Sequence, residues 1–147
     1  MRERLSNLPL PEQNLAVIAA GAILHRLRPL PLPGSRRLHR LAGWSLITAG
    51  AGLATWSWVT AGRVHLAAPD RLVTTGPYAR SRNPMYLAWA LIHLGTGLAT
   101  GSTWTIAGLP ASCWWISREV RAEEQALAPA FGTEYDTYRA RVSRWGG

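Results

Sequence analysis

Leu41-Ala42-Gly43-Trp44-Ser45-Leu46-Ile47-Thr48-Ala49-Gly50-Ala51-Gly52-Leu53-Ala54-Thr55-Trp56-Ser57-Trp58-Val59-Thr60-Ala61-Gly62 holds no charged residue. A helix of that length, rising about 1.5 Å per residue, reaches across a hydrocarbon layer of about 30 Å. Trp44 stands near one end and Trp56 and Trp58 near the other, where amphipathic rings favour the boundary between hydrocarbon and headgroups. The stretch predicts a membrane-spanning helix over 41–62, and its flanks are read outward from there.

Downstream, the uncharged tract from Pro84 to Ser117 is too long for one crossing and is broken at Gly101-Ser102, so it predicts a helical hairpin with spans over 84–100 and 103–118. Pro84 suits a first helical turn, where its missing N–H is not needed, and Pro110 predicts a kink in the second helix. Gly97 and Gly101 have the small-xxx-small spacing of close helix packing. Upstream, a shorter apolar segment gives a first span over about 13–28, or else an interfacial helix. Pro29, Pro31, Pro33 and Gly34 mark the loop between the first two spans. The positive Met1–Arg4 start is followed by no small-residue cleavage signal, so this segment is read as retained. Beyond Ser117 a polar helix continues through Leu127 and breaks at Pro129 and Gly132. Thr133 then caps an amphipathic helix over about 133–145, whose stripe of Tyr135, Tyr138, Val142 and Trp145 is expected to pack on the hairpin or the headgroup layer. The expected fold is all-α: a single-domain integral membrane helical bundle of about four transmembrane helices with a C-terminal cytoplasmic helical extension.

All 16 basic residues are Arg, against 8 acids, giving a formal charge of +8. Mean hydropathy lies near zero because uncharged runs alternate with basic segments. The arginines cluster beside apolar runs, which argues for a bilayer as partner and against nucleic acid. With four spans, both termini and the 63–82 loop share one side, which carries Arg2, Arg4, Arg63, Arg71, Arg80, Arg82, Arg118, Arg121, Arg139, Arg141 and Arg144. The positive-inside rule assigns that side to the cytoplasm. Cys113 has no cysteine partner, and His25, His39, His65 and His93 lack metal-ligand spacing, so no metal is expected.

A hairpin returns the chain to the face it left, so the segments 70–86 and 118–124 are expected to meet there. Arg82-Asn83-Pro84-Met85-Tyr86 carries a charge into a membrane helix, which is costly unless the charge is paired or snorkels to lipid phosphate. Glu119 and Glu123 lie one helical turn apart, with Arg118 and Arg121 on a neighbouring face; a solvated helix face has the same pattern. Neither segment contains a phosphate loop, a nucleophile with a His base, or a dinucleotide fingerprint.

In order and spacing, Leu72-Val73-Thr74-Thr75-Gly76-Pro77-Tyr78, then Arg82-Asn83-Pro84-Met85-Tyr86, then Glu123-Glu124 with Leu127, and last Phe131-Gly132-Thr133-Glu134-Tyr135-Asp136-Thr137-Tyr138 resemble the isoprenylcysteine carboxyl methyltransferase and phospholipid methyltransferase family. Asn83 stands where His is commoner, in the form also seen in phospholipid methyltransferases. The resemblance implies a membrane methyltransferase that uses S-adenosyl-L-methionine on a small amphipathic or lipid-like acceptor bearing a carboxylate, amine or thiol. Carried over by position, the cofactor residues are Asp70, Arg71, Leu72, Val73, Tyr78, Arg82, Asn83, Pro84, Met85, Tyr86, Glu123 and Glu124. The family's acceptor-side Arg falls near Glu119 in register, so Arg118 or Arg121 is expected to bind the acceptor. An NADPH-dependent membrane reductase of the sterol reductase type and a non-enzymatic membrane scaffold are the alternatives. The Arg-only, Ala-rich and Trp-rich composition points to a bacterium of high genomic GC, hence to an inner membrane with the site on its cytoplasmic side.

Overall fold

The computed structural model describes residues 11–62 and 71–146. The basic N-terminal segment, Arg63, His65 and the expected cofactor residue Asp70 lie outside the described residues. Four long helices follow one another: α1 (Glu12–Leu27), α2 (Arg36–Ala61), α3 (Pro84–Thr100) and α4 (Thr103–Arg141), with a 3-10 turn at Gly76–Ala79 before α3. Extended pairing among the described residues is limited to an isolated bridge between Pro31 and Ser102. The fold is all-α.

Local chemistry sets the helix ends. Ser35 and Ser102 act as N-caps, their hydroxyls accepting from the Leu38 and Thr105 N–H groups at 3.4 and 3.2 Å. Pro84 opens α3 at the position that needs no donor, and Gly101 closes it in the left-handed conformation at φ 67. The α1–α2 loop is pinned to that turn: Leu32 N–H donates to the Gly101 carbonyl and Thr103 N–H to the Leu30 carbonyl, both at 3.1 Å. The α1–α2 loop and the α3–α4 turn therefore sit together at one end of the bundle. The start of α3 and the far part of α4 are left to build the other end.

The packing is polar within and apolar without. A methyl group placed on Gly43 would run into the backbone of Gly95 and Ala99, and one on Gly50 into the Ala88 carbonyl, so only glycine allows α2 to lie this close to α3. Between α1, α3 and α4 lies a sealed polar cluster. Asn14, on α1, accepts from Ser112 Oγ and pairs with His93 Nδ1, while its own amide N–H donates to the Trp89 carbonyl at 3.4 Å. His93 Nε2 faces the Thr105 carbonyl at 2.9 Å. The buried apolar cluster is small: Tyr86, Ile116 and Val120. Large apolar side chains instead face outward, among them Leu41, Trp44 and Val59 on α2 and Trp114 and Trp115 on α4.

The structure corrects the sequence reading in several places. Among the described residues no helix is long and apolar enough to cross a membrane. Helices α1 and α3, of 16 and 17 residues, rise about 24 and 26 Å against a core of about 30 Å. Helix α2 is long enough, but Gly, Ser, Thr and Trp dilute its uncharged stretch and it begins on Arg36, Arg37 and Arg40. The expected spans over 13–28, 41–62, 84–100 and 103–118 are thus present as helices, without the length and apolarity of crossings. Pro110 and Pro129 lie inside α4, whose one non-helical residue is Gly132 at φ 51. The helix after that break ends at Arg141 and not at 145, and Val142 is extended, which leaves Trp145 outside it. Of the glycine pair 97 and 101, Gly97 packs on Ile106 but Gly101 is the turn residue.

Candidate active site

The first wall of the site begins at Gly76, where φ is 58 and an added Cβ would stand 2.8 Å from Thr60 Oγ1, so glycine lets the 3-10 turn sit against the end of α2. The turn buries Tyr78, whose carbonyl accepts from Tyr138 Oη at 2.7 Å. Ser81 Oγ accepts from Asn83 N–H and donates to the Arg144 carbonyl, each at 3.1 Å. Arg82 N–H donates to the Ser143 carbonyl at 3.0 Å. The segment before α3 is thereby fastened to the last residues of the chain.

Glu124 is the hub, with its side chain 9% exposed. Oε1 forms an ion pair with Arg82 Nη2 at 3.2 Å and accepts from Asn83 Nδ2 at 3.3 Å. Oε2 accepts from Arg144 Nε at 3.1 Å and Nη2 at 2.8 Å. This bond to Glu124 raises the pKa of the Arg144 guanidinium above its ordinary value. Both oxygens of Glu124 are committed to protein donors.

Glu123 differs. Its Oε1 accepts from Tyr86 Oη at 2.7 Å, and its other oxygen has no partner among the described residues. The residue as a whole remains exposed. Its carboxyl group, however, lies against Tyr86, and partial burial pushes its pKa above the ordinary carboxylate value; the Tyr86 bond opposes the shift and the charges of Glu119 and Glu124 add to it. Burial and the Glu123 charge push the Tyr78 hydroxyl up to about 12, so it stays protonated as a donor at neutral pH.

Around these carboxylates stand buried polar atoms without a partner: Nε and Nη1 of Arg82 and the hydroxyls of Tyr78 and Tyr135. A buried donor left unmet costs about 1–3 kcal/mol, which makes the group a ready receiver of acceptor oxygens. Among the described residues no cluster of three His, Cys, Asp or Glu side chains has the arrangement to hold a metal.

The residues expected from the sequence divide into three groups. Arg82, Asn83, Pro84, Met85, Tyr86, Glu123 and Glu124 are brought together where the hairpin closes, and Tyr78 is buried beside them. Leu72 and Val73, half-buried, and the exposed Arg71 lead into the turn. Arg118 and Arg121 are exposed on α4, and Arg118 lies over the Trp114 ring at 5.1 Å from its centroid, so neither joins the hub. Sequence reasoning missed Ser81 and Arg144. Arg144 had counted only towards the basic face, and no motif marks it. The Tyr135 and Tyr138 stripe does pack, but on the turn that carries Tyr78.

Residues 38–134 match the family model described as phospholipid methyltransferase. The chain belongs to that family. Curated relatives of this phospholipid methyltransferase family chain include proteins named protein-S-isoprenylcysteine O-methyltransferase. The one from Schizosaccharomyces pombe is 28% identical over 71% of this chain and 48% of its own length. The one from Tribolium castaneum is 29% identical over 75% of this chain and 43% of its own. The one from Xenopus laevis is 31% identical over 48% and 25%. The chain thus spans about half or less of the length of these relatives. Tyr135, Tyr138 and Arg144 lie beyond the residues that the phospholipid methyltransferase model matches.

Proposed function

We propose that this chain transfers a methyl group from S-adenosyl-L-methionine to a lipid-like acceptor at a membrane face, binding the cofactor between segment 71–86 and α4 near Glu123. One observation carries the reading: Arg82, whose Nε and Nη1 are unmet, pairs with Glu124, the neighbour of Glu123, whose second carboxylate oxygen is unpaired. A ligand with a carboxylate and an ammonium on one carbon meets complementary charge at such a pair, and S-adenosyl-L-methionine carries both. The Tyr78 and Tyr135 hydroxyls offer further donors to carboxylate or ribose oxygens. Tyr86 is committed to Glu123 and sets the orientation of its carboxylate.

When bound, the cofactor supplies an electrophilic methyl group on a sulfonium. The protein's part is positional. Glu123 and Arg82 fix the charged end, while Met85, Tyr86, Ile116 and Val120, all buried, form a dry wall beside it. Arg118 and Arg121 stay outside the hub on α4, where an anionic acceptor approaching along the Trp114 and Trp115 surface would meet them. The family description names a phospholipid and the relatives' names an isoprenylcysteine, and both are lipid-bearing acceptors.

The membrane setting is supported by the outward face of the bundle. Leu38, Leu41, Trp44 and Val59 along α2 and Trp114 on α4 are each more than half exposed, and exposed large apolar side chains of this kind mark a surface that meets lipid or a partner. Helices shorter than the bilayer core are accommodated by local thinning and by interfacial Trp and Arg anchors. The end that holds the site, near Arg80, Arg82, Arg139, Arg141 and Arg144, is read as the cytoplasmic side.

The test is calorimetric titration of S-adenosyl-L-methionine into the detergent-purified chain, beside Glu123→Ala and a parallel NADPH titration. Binding of the first cofactor, weakened about tenfold or more by Glu123→Ala, is expected. Unchanged affinity in that variant would remove Glu123 from the site, and binding of NADPH alone would replace the reaction class. A labelled-methyl assay against lipid and isoprenoid extracts then identifies the acceptor.

A further inference from the structure

Glu123 and Glu124 are neighbours in sequence, yet one keeps an oxygen open and the other has none. The difference comes from the tail. After Arg141 the chain leaves the helix, with Val142 extended, and runs back across the start of α3. The Ser143 and Arg144 carbonyls accept from Arg82 N–H, Ser81 Oγ and Asn83 Nδ2, and the Arg144 guanidinium reaches Glu124 Oε2 through both Nε and Nη2.

We propose that Arg144, which lies outside the family match, is a positioning residue of the cofactor site. By occupying Oε2 of Glu124, it confines Arg82 to a single ion-pair contact with Oε1 and so keeps Arg82 Nε and Nη1 free for a ligand. This rests on the cofactor site read above. The reasoning is a count of donors and acceptors. Glu124 offers two oxygens in a buried place, and Arg82, with its side chain 9% exposed, has three nitrogens of which one is used. An arginine beside a carboxylate with both oxygens available closes onto it in a two-bonded fork. Without Arg144 the fork forms between Arg82 and Glu124, and the unpaired donors of Arg82 are consumed. Were Arg144 merely an ion pair at the rim, where its side chain is 37% exposed, solvent would screen it and its loss would change little.

The two accounts separate on cofactor affinity against stability. Full-length wild type, Arg144→Gln and Arg144→Lys are titrated with S-adenosyl-L-methionine, and the ligand-free unfolding midpoint of each is measured. The expected result is a loss of about tenfold or more in affinity for Arg144→Gln, the scale of a small misplacement of a binding group. Substantial recovery is expected in Arg144→Lys, whose ammonium can still occupy Oε2. The midpoint should move little, because Arg82 replaces the lost partner. Wild-type affinity in Arg144→Gln overturns the proposal. So does a loss of affinity that tracks the midpoint and is not rescued by Lys. A wild-type chain that binds no S-adenosyl-L-methionine overturns the functional reading instead.

Discussion

Replacing Glu124 by Ala removes the group on which three donors converge, and the cost can be worked from the geometry. Arg82 Nη2 lies 3.2 Å from Oε1, with both side chains 9% exposed. At an effective dielectric constant of about 20, unit charges so placed attract by about 5 kcal/mol. In the intact protein the desolvation of both ions offsets much of that attraction. The alanine variant loses the attraction but keeps the desolvation of Arg82, and removing one partner of such a pair costs about 3–5 kcal/mol. Asn83 loses one hydrogen bond, worth about 1 kcal/mol. Arg144, 37% exposed, contributes about 0–1 kcal/mol because water screens it. These terms overlap, so the expected loss is about 3–5 kcal/mol in all, read from denaturant unfolding in detergent micelles by the fluorescence of the 8 tryptophans. Glu123→Ala is the control. It forfeits one bond from Tyr86 and no cation, and it relieves the crowding by Glu119 and Glu124, so its cost should stay within about 1 kcal/mol. Equal losses in the two variants, or a loss below about 1 kcal/mol for Glu124→Ala, would refute the hub.

The same geometry sets three further outcomes. The raised pKa of Glu123 means that the folded chain holds a proton between the ordinary value of 4.5 and the raised one, where the unfolded chain has shed it. Stability therefore falls as pH rises through that window, whereas cofactor affinity, which on the proposed reading needs the carboxylate, falls as pH drops through it; a Glu123→Gln variant with the same pH dependence of affinity as wild type contradicts this. Gly43→Ala drives a Cβ into the Ala99 and Gly95 backbone and should cost about 1–3 kcal/mol. Gly52→Ala, with nothing within 4 Å, should be neutral or stabilise by up to about 1 kcal/mol in thermal unfolding. Asn14→Leu leaves Ser112, His93 and the Trp89 carbonyl without their shared partner and should cost about 2–4 kcal/mol, clearly more than Ser112→Ala in the same assay.

What was legible in the sequence was local. Pro84, Gly101 and Ser102 act on their own neighbours, so the helices of the hairpin and its turn came out where those residues demand, whereas the Ser35 cap that starts α2 at Arg36, ahead of the expected 41, was not read. What was not legible depends on partners far along the chain. Gly43 and Gly95 are ordinary glycines until α2 meets α3 face to face. Asn14, His93 and Ser112 are isolated polar residues in three apolar runs, and only the bundle makes them one network. Arg144 reaches Glu124 only because the chain breaks at Gly132 and turns back past Arg141. Span length misled for a physical reason as well. Absence of charge was read as apolarity, but α2 spends much of its uncharged stretch on Gly, Ser and Thr, residues suited to close packing, which carry little transfer energy.

The glutamate pair shows how far sequence reading reaches and where it stops. As a motif, Glu123-Glu124 reads as two equivalent cofactor residues. On a helix, consecutive side chains point about 100° apart, so the two cannot face one ligand alike. Glu124 is turned inward onto Arg82, Asn83 and Arg144, and Glu123 towards the rim and Tyr86. Arg82 belongs to both layers, with one nitrogen spent on Glu124 and two unspent. On the proposed reading, affinity for the cofactor is set as much by what competes for Arg82 as by what the ligand offers it. A substitution that frees an oxygen of Glu124 should weaken binding without touching the ligand at all.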